Sequence, residues 1–282
     1  MLDREEYVEQ AYFFRTFGER MRQDLMAQDL LLMLKQEVLA TTKLPLALDF
    51  LASELRLNGV FAPAMAKLAH YFSPFQTFVV TEAERERGRF DFYIALEILE
   101  REARYRAEGA SRQGAFLYQF ECLCRNRLGY DQGLEAMARD PIYDEDWSEW
   151  ILTVRRQVGI VEIADMIYVR SDHYVQQRRR AGLDLAGPEK PVLFGEKEGK
   201  IAIANRQREP LLLFAAMERH LGYPTVPRPK PVDEAKQLLP NLLRRVDRLE
   251  ARVKLLEEEQ KGGIDLSKFF GPQSEGGLPG TK

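Results

Sequence analysis

The chain has 282 residues, of which 45% are hydrophobic and 30% charged, with a formal net charge of −3. That is globular composition, long enough for one large or two ordinary domains, and its balanced charge gives no basis for bulk attraction to nucleic acid or to an anionic membrane surface. The opening MLDREEYVEQ lacks the apolar core of a signal peptide and no run is long enough to span a bilayer, so a cytoplasmic protein without a membrane partner is expected.

In chain order, residues from Asp3 to about Arg20 place Tyr7, Ala11, Phe14 and Met21 on one helical face, with Phe13 and Phe17 beside it. A second helix is predicted from Asp29 to Ala40 on the stripe Leu31, Leu34, Val38. Leu44, Leu48, Leu51 and Leu55 define a third, with Pro45 in its first turn and Asn58-Gly59 at its end. Pro63 restarts a short helix to about His70. Ser73-Pro74 then opens a long one from Phe75 to about Glu108, which Gly88 is placed to bend or break.

Ser111 to Arg127 reads as a helix with Phe116, Phe120, Leu123 and Cys124 inward, closed by Gly129. Asp131 is predicted to cap a short helix that ends at Asp140-Pro141. From Asp144, the positions Trp147, Ile151, Val154, Val158 and Val161 step at four and three residues, and the run is expected to continue to about Arg180 as the central helix. Cys122 and Cys124 lie two apart on a helix, on nearly opposite faces, so they cannot bridge and are expected reduced, with at least one buried. Residues 192–209 hold loop signals, with a strand or a helix start from Lys200 to Glu209, and Pro210 leads a last domain helix that Gly222 ends.

The prolines of PTVPRPKP favour extended polyproline II and mark a spacer at 223–232 after a helical domain at 1–222. Within 233–261, Leu242, Val246, Leu249, Val253 and Leu256 form a heptad seam with Val at a and Leu at d, over about two and a half heptads. Arg245 and Arg252 fall at g, and Glu250 and Glu257 at the matching e positions, so a parallel homodimer is the favoured assembly. Residues 262–282 are rich in Gly, Pro and Ser and are expected to be disordered. Inside them, Ile264, Leu266, Phe269 and Phe270 form a short apolar motif with two readings: docking on this protein's own chains, which is preferred, or on a foreign protein. The fold class is therefore all-α: a multi-helix bundle, a proline-rich spacer, a short coiled-coil helix and a tail.

Chemistry-bearing patterns are sparse. Gly195-Glu-Lys-Glu-Gly199-Lys200 has one residue too few between its glycines for a phosphate loop, and Ile201 stands where Ser or Thr is needed, so a charged surface turn is expected. His70, His173 and His220 lack the Glu-x-x-His spacing of a dinuclear bundle site, and no metal or cofactor is expected. No nucleophile constellation appears, and no catalytic residue is assigned. Arg178, Arg179 and Arg180 are accounted for by the dipole of a helix C-terminus, leaving nucleic-acid binding the weaker reading.

Glu162 and Asp165 are the exception, two acids on adjacent turns of an apolar run, with Asp165 continuing the Trp147 stripe toward the core. A buried carboxylate needs a cationic or hydrogen-bonding partner, and Arg125, Arg127 and Arg170 are candidates. The preferred reading is a structural ion pair, within a non-enzymatic helical scaffold or adaptor that self-associates through its C-terminal helix. The alternative is an enzyme or binding protein with a pocket for a small anionic ligand at Glu162, Asp165, Arg125 and Arg127. Finally, MLDREEYVEQAYFF and LFGEKEGKIA resemble segments of uncharacterised proteins of high-GC planctomycete-type bacteria. The resemblance implies a bacterial origin and brings neither a function nor site residues.

Overall fold

Five of the described helices begin where a side chain satisfies an orphan amide of the first turn. In the computed structural model, which describes residues 1–23, 25–85, 90–182 and 190–228, Ser73 and Gln76 form a reciprocal capping box at the start of one helix. Ser111, Asp144 and Ser171 accept from Gly114, Trp147 and Tyr174 amides at the starts of three others. The described residues contain thirteen helices, and their β structure is confined to two isolated bridges. The protein is all-α.

The first part follows the predicted order. Helix α1 (Arg4–Met21) packs lengthwise on α6 (Phe92–Ala107), while α2 (Ala27–Glu37) and α3 (Leu44–Asn58) fold back on each other across a short connection. Gly59 ends α3 with φ of 73°, the left-handed conformation that its lack of a Cβ permits. A short α4 (Ala62–Lys67) precedes α5 (Pro74–Ala83). The single long helix expected from Phe75 to Glu108 is thus two, α5 and α6. Asp91 starts the second by accepting from the Tyr93 and Ile94 amides at 2.7 and 3.2 Å, and Gly88 lies outside the described residues.

The central helix is not the expected one. Ten consecutive residues of α7 (Arg112–Asn126), Gly114 to Leu123, are buried, so this helix is enclosed on every side. It is closed by Arg127, at φ of 55°, rather than by Gly129, which instead begins α8 (Tyr130–Ala138). A Cβ at Gly133 would lie 2.7 Å from a Leu123 methyl, so only glycine lets α8 approach α7 this closely. The run from Asp144 to Arg180 divides into α9 (Glu145–Gln157), α10 (Ile163–Tyr168) and α11 (Asp172–Arg180). Gly159 turns the chain at φ of 85°, and Ser171 starts α11. Trp147, Ile151 and Val154 are buried, whereas Val158 and Val161 are half-buried because the helix has already ended.

Two aromatic clusters fill the interior. Phe116 stacks on Phe120 and lies 4.6 Å from Trp150, which meets Trp147 edge-on, and Phe194 closes this group at 5.2 Å from each tryptophan. Phe13, Phe14, Phe17, Phe61 and Phe72 form the other, between α1 and α4 to α5. Of the stretch from Lys200 to Glu209 left open between strand and helix, Lys200 to Ala204 belongs to helix α12 (Glu196–Ala204) and the rest is a turn, so the sequence read as a charged surface turn is helical. Gly199 is inside α12, where a Cβ would come within 2.7 Å of His173 Cβ. Helix α13 (Pro210–Leu221) ends at Gly222 as expected.

The domain does not stop at 222. Tyr223, Val226 and Pro227 are buried, so the first part of the expected spacer belongs to the domain through Arg228. An extended proline-rich strand leaves its carbonyls free of internal hydrogen bonds. Here Thr225 O accepts from Arg101 at 2.5 Å and Pro227 O from Asn126 at 3.1 Å. By contacts the chain divides into Met1–Pro229 and Lys230–Lys282. The proposed seam residues Leu242, Val246, Leu249, Val253 and Leu256, and the tail residues Ile264, Leu266, Phe269 and Phe270, lie outside the described residues.

Candidate functional site

The two predicted acids sit at the start of α10 and share one partner segment. Glu162, exposed, accepts from the Gln207 amide at 2.9 Å; Asp165, half-buried, pairs with Arg206 Nε at 2.5 Å. They clasp the turn that follows α12, where Gln207 takes φ of 57°. The expected arginines are elsewhere: Arg125 pairs with Glu121 one turn back on α7, Arg127 is the exposed left-handed residue that ends that helix, and Arg170 donates to Pro191 O at 3.1 Å. The structure therefore brings Glu162 and Asp165 together and does not assemble the four-residue ligand set around them. With Arg206 51% exposed, this is a surface ion pair of the kind that contributes about 0–1 kcal/mol.

The strongest electrostatic feature was not anticipated. Glu102 and Arg106, one turn apart on α6, face α7, and Asp140 enters from the loop between α8 and α9. Arg106 donates to both Asp140 oxygens at 3.0 and 2.5 Å and to Glu102 at 2.8 Å. Gln119 of α7 donates to Glu102 at 2.8 Å and accepts from the Tyr143 hydroxyl at 2.7 Å. All three charged side chains are nearly inaccessible. Burial opposes the Arg106 charge, but Asp140 and Glu102 more than offset it and hold the guanidinium pKa well above its ordinary value. The cluster ties α6, α7 and the α8–α9 loop together. The signal in the sequence was the spacing of Glu102 and Arg106, four residues apart beside the buried Leu99 and Ala103, together with Asp140 next to Pro141.

A further buried acid, Glu121, accepts from the Tyr223 hydroxyl at 2.9 Å, which fixes the domain's last segment to α7, and pairs with Arg125. Cys122 is fully buried, and burial pushes its thiol pKa well up; burial also raises that of the half-buried Cys124, to about 11. With an ordinary value of 9.0, this leaves Cys124 about 100-fold less thiolate at pH 8. Iodoacetamide at that pH is accordingly expected to label native protein at least about tenfold more slowly than urea-unfolded protein, and equal rates would contradict the placement of both thiols.

Two adjoining grooves of about 260 and 360 Å³ run between α1 and α6, both lined by Arg15, Glu100 and Arg104. Of their cations, Arg104 pairs with Glu100 and Arg22 reaches Glu97 at 3.6 Å, while Arg101 and Arg4 donate to the Thr225 and Ala107 carbonyls. Near α12, His220 Nε2 lies 2.9 Å from Glu198 Oε1, and among the described residues no three His, Cys, Asp or Glu side chains gather as a metal site. The outer side of α2 and α3 differs in character. Among the described residues, seven of the sixteen exposed large apolar side chains lie on or next to these two helices: Leu32 and Met33 on α2, Leu46 and Leu57 on α3, and Leu25, Met26 and Leu39 just beyond the ends of α2. No helix among the described residues is long and apolar enough to cross a membrane. The chain matches no family model, no curated protein and no solved structure.

Proposed function

We propose that the protein is a non-enzymatic helical scaffold or adaptor of the bacterial cytoplasm that self-associates through a parallel pairing of its 242–256 seam. The observation that carries this reading is the engagement of the acids on which a ligand pocket would have depended, Asp165 by Arg206 and Glu162 by the Gln207 amide. The buried carboxylates at 102, 121 and 140 are likewise spent on holding helices together. A cross-tied domain with apolar side chains on its outside is suited to presenting surfaces. The tail motif at 264–270 supplies a further contact, made to this protein's own chains.

The seam is tested in the full-length chain by Val246→Lys combined with Leu249→Lys, which puts like charges face to face in adjacent a and d layers. Light scattering at tens of micromolar is expected to give twice 32.6 kDa for the native chain and 32.6 kDa for the double variant. A native chain that is already monomeric would remove the self-association reading.

A further inference from the structure

We propose that α11, with Tyr168 at the end of α10, forms a binding surface for single-stranded nucleic acid, in which bases stack on Tyr168, His173 and Tyr174 and backbone phosphates meet Arg179 and Arg180. This activity goes beyond the scaffold reading and does not depend on the 242–256 seam.

Charge is the first ground. Helix α11 buries none of its nine residues, and its one aliphatic side chain, Val175, is half-buried. Its last turn carries Arg178, Arg179 and Arg180. A helix dipole favours cations there, but it does not call for three in succession, which repel one another and fan over about 200° of the helix surface. Elsewhere on the domain arginines of the surface meet acids, as Arg112 meets Asp144 and Arg155 meets Asp131. Arg179 and Arg180 are exposed and enter no ion pair among the described residues. Glu196 feels the charge of Arg180, yet it is already bound at 2.6 Å by Lys200, which, with His173 and Arg180 adding to it from further away, holds its carboxyl below the ordinary value.

The second ground is aromatic, and it selects the partner. Tyr168 meets Tyr174 edge-on at 5.3 Å and His173 at 6.2 Å, and its hydroxyl donates to Gln177 at 2.6 Å. Arg178 lies over the Tyr174 ring at 5.9 Å and donates to its hydroxyl at 3.2 Å. Through these contacts three half-buried rings run without a break into the arginine turn. Rings beside guanidinium groups suit an unpaired strand, because every base has a π-face and every linkage a phosphate. An anionic membrane would call for an apolar wedge, which α11 lacks. The bulk charge conceals this surface. Residues 1–154 hold 26 Asp and Glu against 18 Lys and Arg, whereas residues 155–228 reverse the balance with 9 against 13. A chain divided in this way attracts a polyanion to its basic part only.

The test uses full-length protein and a fluorescein-labelled oligothymidylate of about 15 nucleotides, followed by fluorescence anisotropy over a range of salt. Native protein is expected to bind with Kd below about 100 μM at about 50 mM salt, and more weakly as salt rises. Arg179→Ala with Arg180→Ala changes only exposed side chains, so the melting transition should be retained while the slope of log affinity against log salt falls by about 1.4, for two lost phosphate contacts. Tyr168→Leu should weaken binding at least about fivefold with the slope unchanged, and Tyr168→Phe, which keeps the ring, should bind like native. No binding at about 100 μM protein and about 50 mM salt, or native affinity and slope in the arginine variant, would overturn the surface. Native affinity in Tyr168→Leu, affinity for inorganic polyphosphate equal to that for the oligonucleotide, or tighter binding to phosphatidylglycerol vesicles would overturn the choice of partner, since none of these outcomes involves stacked bases.

Discussion

Arg106→Met is expected to destabilise the domain by about 3–5 kcal/mol, a large share of the total for a domain of this kind. Among the described residues, Arg106 is the only cation in contact with Asp140 and Glu102, and its methionine replacement would leave two carboxylates in the interior with Gln119 as their remaining side-chain donor there. Glu102→Gln should cost less, because the cluster then holds one carboxylate against one guanidinium. Asp165→Asn should cost no more than about 1 kcal/mol, since its partner Arg206 is half exposed and screened by solvent. Urea unfolding followed by circular dichroism decides the order. A loss at Arg106 no larger than that at Asp165 would mean that the cluster is not closed to water.

Chains cut after Gly222 and after Arg228 are expected to differ sharply. The six residues between carry Tyr223 and Val226 into the core, and the Tyr223 hydroxyl donates to Glu121, a carboxylate with no solvent access, with Phe214 O also within 3.0 Å. Their removal opens a cavity and strips a buried acid of one of its partners, at a cost of about 3 kcal/mol or more. For a domain of this length that corresponds to a fall in melting temperature of about 6–12 °C. The longer chain should melt as the full-length domain does. Coincident melting curves for the two would return the boundary to 222.

That boundary shows where a pattern in the chain is read correctly and still misplaced. The prolines after Gly222 do favour extended backbone, but extension says nothing about whether the strand stands in solvent or lies on a domain; Arg101 and Asn126, more than a hundred residues earlier, decide that by donating to its carbonyls. The acid pair has the same history. Two acids inside an apolar run were enough to demand partners for Glu162 and Asp165, and their real partners, Arg206 and the Gln207 amide, come from a segment that local pattern left undecided between strand and helix.

Local physical chemistry by itself determined the helical class, because the apolar residues recur at three and four rather than two, and it determined those ends where the chain carries its own terminator. Ser73-Pro74 with Gln76, Gly59 and Gly222 are of that kind, since each acts through its own backbone within one turn. Tertiary structure alone decided which helix became the centre. The heptad-like steps from Trp147 to Val161 looked the more regular, yet Gly159 breaks that run, while the region with an unbroken run of ten buried residues, α7, holds Gln119 and Glu121 among its apolar neighbours. A helix enclosed on all sides shows no one-sided stripe, and polar residues within it become tolerable only when Glu102, Asp140, Tyr143 and Tyr223 arrive from other parts of the chain, beside Arg125 one turn on, to satisfy them.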